Sequence, residues 1–271
     1  MERLATVAFY LGLISYTIAG TLFFVDLARR EGLAGARRWA PKILGVGAAM
    51  HATHVVAASL LSRICPVESL HFALSLASLV ATVVFLALRR RRRLDAVGAF
   101  VAPLSVLFLV GAQFVGTPAV QPDNVSRTLL ALHVTANLLG FGLFLLAGGA
   151  GAFYLVSERR LKQKRSGGKS RLPPLDALDL TEHRLLLAGF PLLTFGAISG
   201  AVFVAQLGAI EEGTLLRAAL SYVTWTLLAV MLTLRVVAGW SGRRAAYGAL
   251  AGAACLLLVI LLYALRSGVS T

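Results

Sequence analysis

Five histidines are the side chains of this sequence best suited to bind a metal or a cofactor. His51 and His54 lie three residues apart in one apolar segment, so they share one face of a helix. His133 lies inside a second apolar segment, whereas His71 and His183 lie close to the ends of two others. Neutral imidazole is a good ligand for iron, and two histidines on facing helices can hold a haem from both sides.

A neutral histidine can equally serve packing, through a hydrogen bond to a neighbouring helix. For His71 and His183 we expect this structural role, because both lie near the ends of apolar segments. For His51, His54 and His133 the residue types alone leave ligation and packing open. An ionisable side chain within an apolar segment usually faces the interior of the bundle or a functional cavity, and both roles satisfy that rule.

The segments that position these histidines are apolar enough to cross a membrane. Of the 271 residues 58% are hydrophobic and only 14% are charged, whereas soluble domains carry about 25% charged residues. A helix of about 20 apolar residues crosses a bilayer core. Such segments predict about eight transmembrane helices, at residues 5–26, 43–62, 69–88, 97–115, 128–156, 184–206, 214–238 and 245–265. The predicted fold is therefore an all-α, polytopic integral membrane helix bundle.

The net charge of +14 is concentrated in alternate loops between these segments. The basic side chains of loops one, three, five and seven are Arg29, Arg30, Arg37, Arg38, Lys42, Arg89, Arg90, Arg91, Arg92, Arg93, Arg159, Arg160, Lys162, Lys164, Arg165, Lys169, Arg171, Arg243 and Arg244. The other loops are nearly neutral, so the positive-inside rule predicts both termini outside a multi-pass protein of the cell (inner) membrane. We expect membrane lipid, and not nucleic acid, as the partner of this charge.

The longest loop divides the chain into two helical groups. We expect one transmembrane domain, residues 1–271, made of helices 1–5, a basic cytoplasmic linker and helices 6–8, at residues 1–156, 157–181 and 182–271. Asp179 or Thr181 is expected to cap the sixth helix. Cys65 and Cys255 form neither a CxxC redox pair nor a metal cluster. The sequence contains no phosphate loop, nucleophile elbow or zinc motif, so we do not expect an enzyme.

Several segments match one known family in order along the chain. His51 precedes Pro66, and helix 5 reads LLALHVTANLLGFGLFLLAGGAGAFYLVSERRLK with His133 at its start. The second half then reads LPPLDALD, GFPLLTFGAISGA and GWSGRRAA. Together these segments resemble the cytochrome c assembly superfamily, and within it the HemX-like branch of CcsA-like cytochrome c biogenesis proteins. The resemblance implies haem as cofactor, with His133 as a ligand of the haem iron, His51 as its partner and His54 as the reserve.

The sequence departs from this family where the family presents haem. The family's outer loop is rich in tryptophan and ends in a WDPKE-like string, but the matching segment here is AQLGAIEEGTLLRAALSYVTW. Thr214 and Leu215 stand where that string has tryptophan and aspartate, and Arg217 keeps a basic position. By the same count Thr233 replaces a haem-ligating histidine, and Arg235 is retained. The resemblance therefore implies that this chain lacks the aromatic platform of the full synthetases.

Three functions remain open at this stage. The first is a haem-binding or haem-handling accessory of cytochrome c biogenesis, with another assembly protein as its partner. The second is a HemX-like regulator or scaffold of tetrapyrrole synthesis, which would act on a soluble enzyme through the basic loop 157–181. The third is a small-molecule transporter. No carboxylate pair is expected inside the membrane, and this weakens an ion-coupled transporter.

Overall fold

The computed structural model describes residues 1–28, 34–63, 70–92, 94–114, 126–163, 173–207 and 212–269. Within these ranges the chain forms helices and no strands. The α-helices are α1 (Glu2–Ala28), α2 (Ala34–Ser62), α3 (Leu70–Arg92), α4 (Gly98–Gly111), α5 (Arg127–Lys162), α6 (Leu175–Leu207), α7 (Glu212–Val237) and α8 (Arg243–Val269). Short 3-10 turns, Asp95–Val97 and Ala112–Phe114, flank α4. The expected all-α bundle of eight helices is confirmed.

Six of these helices are long and apolar enough to cross a membrane, judged on the described residues: α1, α2, α3, α5, α6 and α7. Helix α4 is apolar but shorter, with 14 residues where the sequence predicted a span at 97–115. It remains apolar throughout and is largely buried. The chain is therefore a multi-pass membrane protein.

The helices pack as two groups that α3 and α5 join. Helix α1 packs against α2 and α4, while α5 packs against α6 and α8, and α3 contacts both α4 and α5. One apolar core runs through both groups, because Tyr16 and Phe85 of the first share a buried cluster with Phe144 and Leu228 of the second. Small residues permit the close helix contacts: a Cβ on Gly140 would lie 2.8 Å from Leu193 of α6.

The helices extend further into the loops than apolar composition predicted. Helix α2 begins at Ala34, so Arg37 lies within a helix, where it forms an ion pair with Asp95 at 3.6 Å. Arg89 of α3 forms a second ion pair with Asp95 at 2.5 Å. The expected linker 157–181 is likewise helical at both ends, since α5 ends at Lys162 and α6 begins at Leu175.

The capping role expected of Asp179 or Thr181 is wrong. Both lie inside α6, because this helix already begins at Leu175, directly after Pro173 and Pro174. Thr181 instead donates a hydrogen bond to the carbonyl of Ala177 at 2.6 Å. Several of the basic loop residues lie outside the described residues, because they fall within 29–33, 93 and 164–172. Cys65 also lies outside the described residues.

Candidate functional site

His133 lies at the contact between α5 and α6, about a turn and a half from the start of α5. Its Nδ1 is 2.8 Å from the Ser199 hydroxyl of α6, and its Nε2 is 3.2 Å from Nδ2 of Asn137, one turn further along α5. The Phe203 ring meets the imidazole edge to face, with centroids 5.3 Å apart. The imidazole is half-buried. His133 therefore has a hydrogen-bond partner on each nitrogen and is only partly buried.

Two glycines of α6 make room for this arrangement. A Cβ on Gly196 would collide with the side-chain amide of Asn137, and a Cβ on Gly200 would lie 3.3 Å from Cε1 of His133. The segment GAISG thus places small residues where Asn137 and His133 of α5 approach α6. Ser199 lies between these glycines, so its hydroxyl faces the imidazole at short range.

His51 is fully buried between α2 and α1. Its Nδ1 is 3.2 Å from the Tyr16 hydroxyl, and the two rings meet edge to face with centroids 5.8 Å apart. Its Nε2 has neither a hydrogen-bond partner nor exposed surface. An unpaired buried nitrogen costs about 1–3 kcal/mol, so this atom is energetically available to a ligand. In the described arrangement, however, no ligand has space to approach it.

His54 lies one turn nearer the end of α2 and is also buried. Its Nδ1 is 2.9 Å from the carbonyl of Ala5, and its Nε2 is 3.4 Å from Nε2 of Gln113. Phe9 packs against the imidazole with ring centroids 5.3 Å apart. His54 thus ties together α1, α2 and the turn after α4, which is the packing role of a buried histidine.

The described contacts do not bring the three candidate histidines together. His51 and His54 contact α1, whereas His133 contacts α6, in the other group of helices. No described hydrogen bond or ring contact joins His133 to either of the others. His51 lies roughly 16 Å along its helix from Ser62, whereas His133 lies roughly 9 Å from the start of α5, at 1.5 Å per residue. The side chain of His71 lies outside the described residues.

His183 belongs to a buried ionic cluster that sequence reasoning missed. Arg235 of α7 donates through Nε to Nδ1 of His183 at 3.0 Å and through Nη1 to Glu182 at 2.5 Å. Through Nη2 it donates to the carbonyl and carboxylate of Asp179, at 2.8 and 3.0 Å. The same carboxylate accepts from the backbone N–H of Gly242, between α7 and α8. This ionic cluster of Asp179, Glu182, His183 and Arg235 fastens α6, α7 and the α7–α8 turn.

Comparison with known proteins matches the chain to one family. The family model described as cytochrome C assembly protein matches residues 64–270.

The chain belongs to the cytochrome c assembly protein family.

Curated relatives agree with this match. The chain is similar to a "Cytochrome c biogenesis protein CcsA" of Prochlorococcus marinus (strain NATL2A), with 27% identity over 223 residues, 69% of each chain. A protein of the same name from Guillardia theta is 26% identical over 187 residues, 61% of this chain and 62% of the relative. Another, from Synechococcus sp. (strain JA-2-3B'a(2-13)), is 38% identical over 76 residues, 28% and 22% of the two chains. No solved structure matches the chain.

Thr233, which by sequence counting replaces a haem-ligating histidine of the family, lies away from His133. It lies four residues before the end of α7, exposed, and donates only to the carbonyl of Ala229 in its own helix. The ionic cluster at Arg235 places this end of α7 beside the start of α6, whereas His133 contacts Ser199 near the other end of α6. Thr233 and His133 therefore lie at opposite ends of the bundle.

Haem is the cofactor that the family implies, and the three histidines fit it unequally. Iron ligation requires the lone pair of an imidazole nitrogen and room for the macrocycle. His133 is partly exposed and its Nδ1 is held by Ser199, and a hydrogen bond of this kind typically orients the ring of a ligating histidine. His51 has the free nitrogen without the space. One iron held between His51 and His133 does not fit the described arrangement, whereas the partial exposure of His133 is compatible with its acting as a single ligand.

Proposed function

We propose that this chain is a haem-handling accessory of cytochrome c biogenesis in the inner membrane of the cell. The observation that carries the proposal is His133, whose imidazole is oriented by a second helix in a residue that is only partly buried. It lies within residues 64–270, the part that matches the cytochrome c assembly family. The names of the curated relatives, cytochrome c biogenesis protein CcsA, support the same process.

In this proposal His133 holds haem iron through Nε2. Ser199 accepts a hydrogen bond from Nδ1–H and so fixes the orientation of the imidazole, against which the Phe203 ring packs edge to face. Bound haem would supply the reactive groups for attachment to an apocytochrome, and the protein would hold and orient it. Of the residues proposed from the sequence, His51 and His54 would take part only after the first group of helices rearranges, because both are buried.

The accessory role, as opposed to a complete synthetase, rests on the segment 205–225. It contains one tryptophan, Trp225, which lies on α7 and donates to Thr194 of α6 at 3.0 Å while stacking on Phe190. That indole therefore serves helix packing. Residues 208–211 of the segment lie outside the described residues, but their types, Gly, Ala, Ile and Glu, supply no aromatic surface for a macrocycle.

An absorption spectrum of the detergent-purified protein tests the proposal. We expect a Soret band that is lost when His133 is replaced with alanine, because His51 and His54 are buried and Nδ1 of His183 already accepts from Arg235 in the described structure. His71→Ala is the matched control and should keep the band. A His133→Ala protein with full haem content and an unchanged spectrum would refute the assignment. A wild-type protein without a Soret band, after expression with excess haem, would refute the proposed function.

A second function is favoured by the exposed basic end of α5. The last turn carries Arg159, Arg160 and Lys162, which are exposed and continue the helix into the basic linker. Such a surface suits an acidic soluble partner, as a HemX-like regulator or scaffold of tetrapyrrole synthesis would need. Co-purification of a tetrapyrrole-synthesis enzyme, abolished by Arg159→Glu with Arg160→Glu, would support this function over the first. Haem binding that is unaffected by the charge reversal would mark the two functions as separable.

A further inference from the structure

The hydrogen bonds around His133 fix which of its nitrogens carries the proton. The Ser199 hydroxyl has one hydrogen, and this hydrogen points to the carbonyls of α6, at 2.7 Å from Phe195 and 3.2 Å from Gly196. With its hydrogen on these carbonyls, Ser199 accepts at the imidazole, which places the proton of His133 on Nδ1. Its Nε2 must then hold the lone pair.

The second partner of His133 agrees with that assignment. Nδ2 of Asn137 carries two hydrogens: one goes to the carbonyl of His133 at 3.0 Å and the other to its Nε2 at 3.2 Å. An amide N–H donates to a lone pair and cannot bond a protonated nitrogen. The hydrogen bonds thus form a series in which each group donates to the next, from Asn137 to His133, from His133 to Ser199 and from Ser199 to the carbonyl of Phe195.

From this geometry we infer that Ser199 and Asn137 are opposing positioning residues of His133. Ser199 holds the proton of His133 at Nδ1 and so leaves the lone pair on Nε2, and Asn137 covers that lone pair until a ligand displaces the amide. The inference deepens the proposed function and rests on it for the identity of the ligand, which is a metal-centred macrocycle. The positioning itself concerns the haem-free protein and is measurable without any ligand.

A substitution at Gly196 offers an independent way to move the Asn137 amide away from Nε2 of His133. Because a Cβ there would collide with the Asn137 amide, Gly196→Ala displaces the amide and leaves both His133 and Asn137 in the chain. His54 provides the matched control, since Gln113 donates to its Nε2 at the longer distance of 3.4 Å. Gln113→Ala removes a side-chain amide from a histidine in the other group of helices, so it should leave His133 unchanged.

Two measurements on the haem-free protein in detergent test the inference. In nitrogen-15 spectra of histidine-labelled protein, His133 should show a protonated Nδ1 and an unprotonated Nε2, and Ser199→Ala should mix the two tautomers while Ser199→Thr restores the first. Acylation of His133 by diethyl pyrocarbonate, followed by mass spectrometry, should accelerate about fivefold in Asn137→Ala, the effect of one lost hydrogen bond. Gly196→Ala should accelerate it in the same direction, and Gln113→Ala should not.

A protonated Nε2 in the wild-type protein, or an unchanged acylation rate in both Asn137→Ala and Gly196→Ala, would overturn the inference. Haem titration then separates it from the proposed function. Tighter haem binding in Asn137→Ala and weaker binding in Ser199→Ala would support both. If the tautomer and acylation results hold but no variant binds haem, the proposed function fails and the positioning stands. If haem binds through His133 with equal affinity in Asn137→Ala and wild type, the covering role of Asn137 fails and the function stands.

Discussion

Replacing Arg235 with methionine leaves a buried carboxylate without its counter-charge. The side chain of Arg235 is 4% exposed and that of Glu182 is 0% exposed, while Asp179 is 24% exposed and retains some contact with solvent. Oε2 of Glu182 already lacks a hydrogen-bond partner, so the guanidinium is its principal compensation. Removing one partner of a buried ion pair costs about 3–5 kcal/mol, because the other charge stays desolvated.

This free energy translates into a measurable loss of thermal stability. For a chain of this size about 1 kcal/mol lowers Tm by roughly 2–4 °C, so Arg235→Met should lower it by roughly 6–20 °C in detergent. Scanning fluorimetry of the purified protein measures the shift. The Tm of Arg235→Lys should lie between those of the wild type and Arg235→Met. An ammonium keeps the charge, but it cannot donate to His183, Glu182 and Asp179 at once as the planar guanidinium does.

Two further variants separate the cost of the unpaired buried charge from the cost of losing any ion pair. Lys162→Met removes the exposed i,i+4 ion pair with Glu158 and should cost at most about 1 kcal/mol. The double variant Arg235→Met with Glu182→Gln removes the buried charge together with its partner, so it should regain at least half of the lost Tm. If Arg235→Met shifts Tm no more than Lys162→Met does, or if the double variant is worse than the single one, the ionic cluster does not stabilise the bundle as we argue.

Three other predictions follow from the fold and the family. In a protein whose two cysteines are replaced with serine, Ser126→Cys at the start of α5 should react in intact cells with a membrane-impermeant thiol reagent, whereas Gln163→Cys at its end should not; the opposite pattern would invert the topology. Gly140→Val should destabilise the protein by about 1–3 kcal/mol, because its Cβ meets Leu193, while Gly111→Ala, with open space around it, should be neutral in the same unfolding assay. Expressed as the sole assembly component with an apocytochrome bearing a CxxCH site, the protein should attach no haem covalently; attachment above the no-protein control would contradict the accessory role.

Apolar composition predicted the number of helices better than their ends. The span predicted at 128–156 corresponds to a helix that continues to Lys162, and the span predicted at 184–206 corresponds to one that begins at Leu175. A run of apolar residues marks the part of a helix that lies in lipid. Where the helix itself stops depends on local features such as the paired prolines before Leu175, and backbone hydrogen bonding continues past the membrane surface into water.

The sequence predicted the α5 side of the candidate site but not the α6 side. His133 was named from its place in the family pattern, and Asn137 lies one turn along the same helix, where an i,i+4 contact is expected. Ser199, the partner that fixes the imidazole, lies 66 residues away and becomes a neighbour only because α5 packs on α6. The separation of Thr233 from His133 is likewise visible only in the structure, since counting residues from a motif does not say at which end of the bundle a position lies.

The sequence by itself determined that this chain is a multi-pass helical membrane protein of the cytochrome c assembly family, because hydropathy and motif order are properties of residues along a line. Tertiary structure alone decided which polar side chains meet. Arg235 finds Glu182 across two helices, and Tyr16 takes one nitrogen of His51 while the packing closes off the other. Inside a membrane a polar group has no water with which to form hydrogen bonds. Its role is therefore set by the polar neighbours that helix packing brings within reach.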